Sequence, residues 1–188
     1  MHRQLIHICN SSTYHSFFPL QILRTKYGSF DVAPDSSSVT ALMSSVLHYA
    51  AANQREQHRL LADADKIAKK FRIPEKRVWH IKVKAFADSK QWSNLRLLAD
   101  SKKSPISYKF FALAAIRGKQ SSTEIMRYVD RVAVAEEKYD LLCEAEMWKQ
   151  ALDEAFKLRD PRRVLNVKTL CNDSDIQIMA DQLMGRIA

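Results

Sequence analysis

This sequence predicts an all-α fold, an α-solenoid of antiparallel helical hairpins. Three observations carry the prediction. Apolar residues recur at three-four spacing through most of the chain after residue 36. With 3 glycines and 5 prolines in 188 residues, the chain lacks the punctuation a many-stranded fold needs. Helix start signals recur at a regular interval, as they do in repeat architectures.

The segment 1–35 contains a Ser-Ser-Thr run, Phe17-Phe18-Pro19, Gly28 and Pro34, and its periodicity is weak, which predicts a loosely ordered leader. Residues 36–188 form the predicted solenoid. Ser36, Ser37 and Ser38 offer N-cap hydroxyls to a helix with Val39, Leu42, Met43, Val46, Leu47 and Ala50 on one side. A second helix, from about Arg55 to Phe71, lines up Leu60, Leu61, Ala64, Ile67, Ala68 and Phe71. Ile73-Pro74 stops it, because a residue before proline is pushed out of the α region while proline suits the start of a new helix.

The next helix, Glu75 to about Ser89, puts Val78, Trp79, Ile81, Val83, Ala85 and Phe86 over half its circumference and Arg77, His80 and Lys84 opposite. A shorter one carries Trp92, Leu95, Leu98 and Ala99, and Lys102-Lys103-Ser104-Pro105 ends it. Ser107 can cap the run Tyr108 to Ile116, which is apolar on nearly every side, as expected of a helix sandwiched between neighbours. Gly118 closes that run. Ser121-Ser122-Thr123-Glu124 reads as a capping box, serine hydroxyl and glutamate carboxylate each satisfying the other's backbone amide. Helices at Ala133 to Ala145 and Met147 to Leu158 follow. Asp160-Pro161 starts another, and Asp173 or Ser174 caps the last. Hairpin starts at positions 75, 107, 133 and 160 lie 26 to 32 residues apart, within the range of helical-hairpin solenoids.

Composition and motifs narrow the function. Cys9, Cys143 and Cys171 are widely spaced and form no CxxC pair, which argues against a disulfide framework or a zinc site and suits a reducing, cytoplasmic compartment. The sequence contains no HExxH, GxxxxGK[ST], GxGxxG or GxSxG, and no nucleophile, base and orienting group can be named together. A non-enzymatic role without cofactor or metal is therefore expected. The pairs Glu136-Glu137 and Glu144/Glu146 sit at adjacent or alternate positions that diverge on a helix, so they read as solvated faces. Trp79, Trp92 and Trp148 are most simply core or inter-repeat anchors, although a half-exposed tryptophan also serves as a binding hot spot.

The net charge of +9 is unevenly placed. From Lys66 to Lys109 there are thirteen Lys/Arg and three acids, an excess of ten, while the rest of the chain is nearly neutral. A partner with an acidic face is implied there. Phosphoinositide headgroups or another anionic membrane surface, nucleic acid, and an acidic protein all qualify chemically. A plain solvated face is the alternative. Nucleic acid would require affinity that collapses with salt and is not the expected partner.

Phe71-Arg72-Ile73-Pro74-Glu75-Lys76-Arg77-Val78-Trp79-His80, followed by Lys82-Val83-Lys84-Ala85, Trp92 and Ser101-Lys102-Lys103-Ser104-Pro105-Ile106, carries a more specific signal. In these motifs the chain resembles the C-terminal domain of the vacuolar protein sorting-associated protein 16 family. The resemblance runs from about Leu61 to the C-terminus and leaves the first sixty residues out. It implies an α-solenoid subunit of the class C core shared by the HOPS and CORVET tethering complexes. That location is cytoplasmic, peripheral on late endosome and vacuole or lysosome membranes, and the role is vesicle-mediated transport and membrane fusion. The implied direct partner is the SM-family vacuolar protein sorting-associated protein 33, beside the other class C core subunits, so that SNAREs assemble where membranes meet. A spermatogenesis-defective protein 39 homologue-like adaptor for the same SM family shares this domain and is the alternative.

Carried over residue by residue, the resemblance makes Arg77 the first candidate for the interface, with Lys76, Trp79, His80 and Lys84 on the same helix. Arginine suits the role because its planar fork binds a carboxylate bidentately. Lys102, Lys103 and Ser104 either extend the same surface or shape the turn.

Overall fold

The computed structural model describes residues 38–101 and 103–187, so the predicted leader lies outside the described residues. The described chain is all-α, with ten α-helices. The described residues divide into two compact units between residues 85 and 86.

In the first unit Ser38 is the one of the three predicted serines that caps α1 (Val39–Ala52), its hydroxyl accepting from the Ala41 amide at 3.2 Å. α1 buries Leu42, Met43, Val46, Leu47 and Ala50, one stripe at three-four spacing. Full burial of each larger side chain contributes about 1.5–3 kcal/mol before entropy is counted. A 3₁₀ turn at Gln54–Glu56 then occupies residues the periodicity assigns to the next helix, and α2 (Gln57–Lys70) starts two residues late. α2 packs on α1 through Leu60, Ala64, Ile67 and Ala68. Asp63 is buried among them and takes the Lys66 ammonium at 3.1 Å.

The corner after α2 is a Schellman turn. The Arg72 amide donates to the Lys69 carbonyl and the Ile73 amide to the Ala68 carbonyl, with Arg72 at φ 50°. Pro74 then offers its carbonyl to the Val78 amide and α3 (Glu75–Asp88) begins. The same turn recurs with Lys90, Lys119, Glu146 and Arg159 at φ 50–55°, each followed by an amide that reaches back five residues. Long polar side chains thus hold left-handed positions that glycine usually takes.

The second unit runs α4 (Trp92–Ser101), α5 (Lys109–Arg117), α6 (Ser122–Val129), α7 (Ala135–Glu144), α8 (Trp148–Lys157), α9 (Pro161–Leu170) and α10 (Ser174–Ile187). α5 packs on α6 and α7, α7 on α8, α8 on α9 and α10, and α9 on α10. From α5 onward, helices that neighbour in sequence therefore neighbour in space. Phe111, with ring contacts to Tyr108 and Tyr128 at 5.5 and 5.7 Å, centres the α5–α6 core. Phe110 is 42% exposed, so α5 has an open side and is not enclosed all round as its composition suggests.

Local signals hold with two corrections. Ser107 accepts from the Lys109 amide, Asp160 from Arg162 and Arg163, and Asp173 from Asp175, each at a helix start the sequence marks. The helix expected from Ala133 starts at Ala135, its first turn stabilised by Glu136 and Glu137 near the positive end of the dipole. The expected capping box is only half formed. Ser121 accepts from the Glu124 amide at 3.3 Å, but the Glu124 carboxylate turns inward instead. There it accepts from the buried Tyr128 hydroxyl at 2.7 Å and from Arg96 Nε at 2.8 Å. The Tyr128 hydroxyl one turn on in the same helix and the tertiary donor Arg96 together outcompete one local amide, and Arg96 also neutralises the charge.

Gly118 is required by close approach: a Cβ there would collide with the Trp92 indole, which lies across the end of α5.

Candidate partner-binding surface

α3 positions the predicted interface. At about 100° per residue, Trp79, Val83, Ala85 and Phe86 fall on one half of the helix, and all four are buried. Lys76, His80, Lys84 and Arg77 fall within an arc of about 100° on the other half, and all four are exposed. The stripe is therefore continuous along three turns of helix. Lys82 lies off this arc and pairs with Asp65 of α2 at 2.6 Å, which fixes α3 against α2.

Trp79 does not belong to the surface. It is 3% exposed, so its indole is part of the core, and its area stabilises the helix that presents the cations. Of the remaining candidates, Lys102 lies outside the described residues. Lys103 is exposed, and Ser104 is half-buried in the second unit. The Ser104 hydroxyl donates to the Ile106 carbonyl at 2.8 Å and accepts from the Ile106 amide at 3.2 Å, so Ser104 shapes the turn.

The basic excess is concentrated more sharply than its sequence limits suggest. In the second unit Arg96 is held by Glu124, and Lys109 by Glu137 at 3.1 Å. Asp100 receives both Arg127 and Arg131, at 3.1 and 2.6 Å. In the first unit Lys66 and Lys82 are also answered by acids. By contrast Lys69, Lys70, Arg72, Lys76, Arg77 and Lys84 are exposed and make no ion pair among the described residues. Lys69, Lys70 and Arg72 were not among the predicted site residues. The signal was present, since these three continue the run of cations across the Ile73-Pro74 corner, but helix-face reasoning stopped at the helix end.

Among the described residues no group of His, Cys, Asp and Glu has the arrangement to hold a metal ion. Cys171 is buried, and Cys143 is half-buried with its thiol pKa raised by desolvation. The surface can thus attract and orient an anionic partner through charge and hydrogen bonding.

Comparison with known proteins agrees with this region. The family model described as "Vps16, C-terminal region" matches residues 54–186. The vacuolar protein sorting-associated protein 16 homolog of Dictyostelium discoideum is 27% identical over 124 residues, 66% of this chain and 15% of that protein. The homolog of Drosophila melanogaster is 29% identical over 100 residues, 53% of this chain and 12% of its own length. Vacuolar protein sorting-associated protein 16 of Saccharomyces cerevisiae is 29% identical over 126 residues, 64% of this chain and 16% of its own. The chain thus spans less than a fifth of the curated relatives it matches. No solved structure matches it significantly.

Proposed function

The chain belongs to the family of the Vps16 C-terminal region, and on that footing we propose that it is a docking segment of an endosome–vacuole tethering complex. In this reading it is a non-catalytic α-solenoid module of the HOPS/CORVET class C core. It binds the SM-family protein and so keeps SNARE assembly at the contact between membranes. No described helix is long and apolar enough to cross a membrane, so attachment would run through partners or the surface.

The exposed cationic stripe on α3, inside the matched region, carries the reading. A helix that buries Trp79, Val83 and Phe86 is rigid, and it presents Lys76, Arg77, His80 and Lys84 at fixed spacing. Arg77 stands at the centre of the claim, because its guanidinium can close a bidentate pair with a partner carboxylate. A desolvated pair of that kind is worth several-fold more than a rim contact and sets the dissociation rate.

The test is co-purification of the chain with its own organism's SM-family protein, wild type beside Arg77→Asp, on a sizing column with light scattering. A one-to-one complex that is lost in Arg77→Asp, with an unchanged melting curve, supports both the partner and the stripe. A complex of equal affinity in the variant removes the site; no complex from a folded chain removes the partner.

A further inference from the structure

We propose that the corner between α2 and α3 is a contact site for anionic lipid headgroups, which extends the α3 stripe through Lys76 and Arg77 onto α2 and the turn. Residues 69–77 hold five cations, Lys69, Lys70, Arg72, Lys76 and Arg77, against the single acid Glu75. The five cations are exposed, and none has an ion pair among the described residues. Other cations without an ion pair among the described residues, such as Arg55, Lys90, Lys119 and Lys138, are spread along the chain, whereas these five fall within nine residues, so a local excess of four is not absorbed by the fold.

Its construction favours a lipid surface over a protein face. Three of the five are lysines, point charges on flexible stems that no neighbouring side chain holds in place. Such groups match laterally mobile phosphates, which rearrange to meet them, better than a fixed set of carboxylates. The four-residue turn 71–74 also carries Phe71, Ile73 and Pro74, the first two half-buried and the third exposed, between the cations. Apolar groups interleaved with basic ones suit the headgroup boundary, where rings and alkyl stems enter and ammonium groups stay at the phosphates. The Schellman turn keeps the segment compact, since the Arg72 and Ile73 amides are both bonded back to α2. The backbone therefore brings no unsatisfied amide to the lipid surface from these two positions.

Neutralising the cations of α2 and the turn isolates their part of the corner from the α3 stripe. The full chain is tested by co-sedimentation with phosphatidylcholine vesicles with and without phosphatidylserine, comparing wild type with K69Q/K70Q/R72Q. Wild type should prefer the anionic vesicles, and its binding should weaken as salt rises. The triple variant should lose about a hundredfold in partition coefficient, the expected effect of three basic residues at an anionic surface. K69R/K70R/R72K keeps the charge and should bind as wild type does, which separates loss of charge from damage to the turn. The SM-protein complex should survive K69Q/K70Q/R72Q, while Arg77→Asp, a change of two charges, should weaken vesicle binding by about thirtyfold, less than the triple variant does. Equal sedimentation with neutral vesicles, or unchanged binding in the triple variant, overturns the proposal. Binding to a soluble poly-glutamate probe with none to anionic vesicles also overturns it, and assigns the corner to an acidic protein.

Discussion

Replacing Glu124 by alanine should destabilise the second unit by about 1–3 kcal/mol, and the geometry says why. Glu124 is 6% exposed and Tyr128 is fully buried, with the hydroxyl donating to the carboxylate at 2.7 Å. Burial and the carboxylate together raise the Tyr128 pKa, so the phenol stays protonated and serves as the donor. In Glu124→Ala that hydroxyl loses its acceptor where water does not reach, which costs about 1–3 kcal/mol. The pair with Arg96 is lost as well, but Arg96 is 47% exposed and solvent takes over most of its interaction, so the loss is dominated by the orphaned hydroxyl. Tyr128→Phe alone should cost about 1–2 kcal/mol, because Glu124 keeps Arg96 as a partner. The double variant should cost about 1–2 kcal/mol less than the sum, because no orphaned hydroxyl remains. Denaturant unfolding followed by circular dichroism, with α6 melting in the second unit's transition, measures all three. An additive cycle, or a Glu124→Ala cost below about 0.5 kcal/mol, would refute the buried network as the reason Glu124 turns inward.

Three further outcomes rest on separate observations. Gly118→Ala should lower stability by about 1–3 kcal/mol, since the new methyl meets the Trp92 ring, and thermal melts of G118A with and without Trp92→Leu should show partial rescue. Lys119→Gly should raise stability by about 0.5–1 kcal/mol by relieving a left-handed backbone at φ 50°, readable as an increase in the denaturation midpoint. Tyr139 is pushed up to about 12 by burial, with its hydroxyl donating to the Arg163 carbonyl and accepting from Asn166. Its folded pKa lies above the ordinary 10.0, so its contribution is intact below pH 10 and is lost as pH rises toward 12. Tyrosinate absorbance and helix content should then change together in that window, and Tyr139→Phe should remove part of the alkaline loss.

Much of the fold was legible because helix signals are local. Ser38, Ser107, Asp160 and Asp173 cap helices in the structure through hydroxyl or carboxylate contacts two or three residues away, and such contacts are written in adjacent residues. The stripe Leu42, Met43, Val46, Leu47 and Ala50 needs only the helical period to be read. The five left-handed turns were not legible. Glycine is their usual marker, and Arg72, Lys90, Lys119, Glu146 and Arg159 stand in its place. Gly118 could be read as a helix stop, but its need to admit Trp92, twenty-six positions earlier, could not.

The candidate surface divides along the same line. By itself the sequence determined the helical class, the family, and the cationic arc of α3, because periodicity and motif spacing decide which residues share a face. Only the tertiary structure decided which cations remain available. Arg96, Lys109, Arg127 and Arg131 are taken by acids 28, 28, 27 and 31 positions away, while Lys69, Lys70, Arg72 and Arg77 are not. Only the structure likewise placed Glu124 against Arg96, 28 positions away. Coulombic pairing and burial depend on distance in space, and the fold brings together charges that the sequence holds far apart.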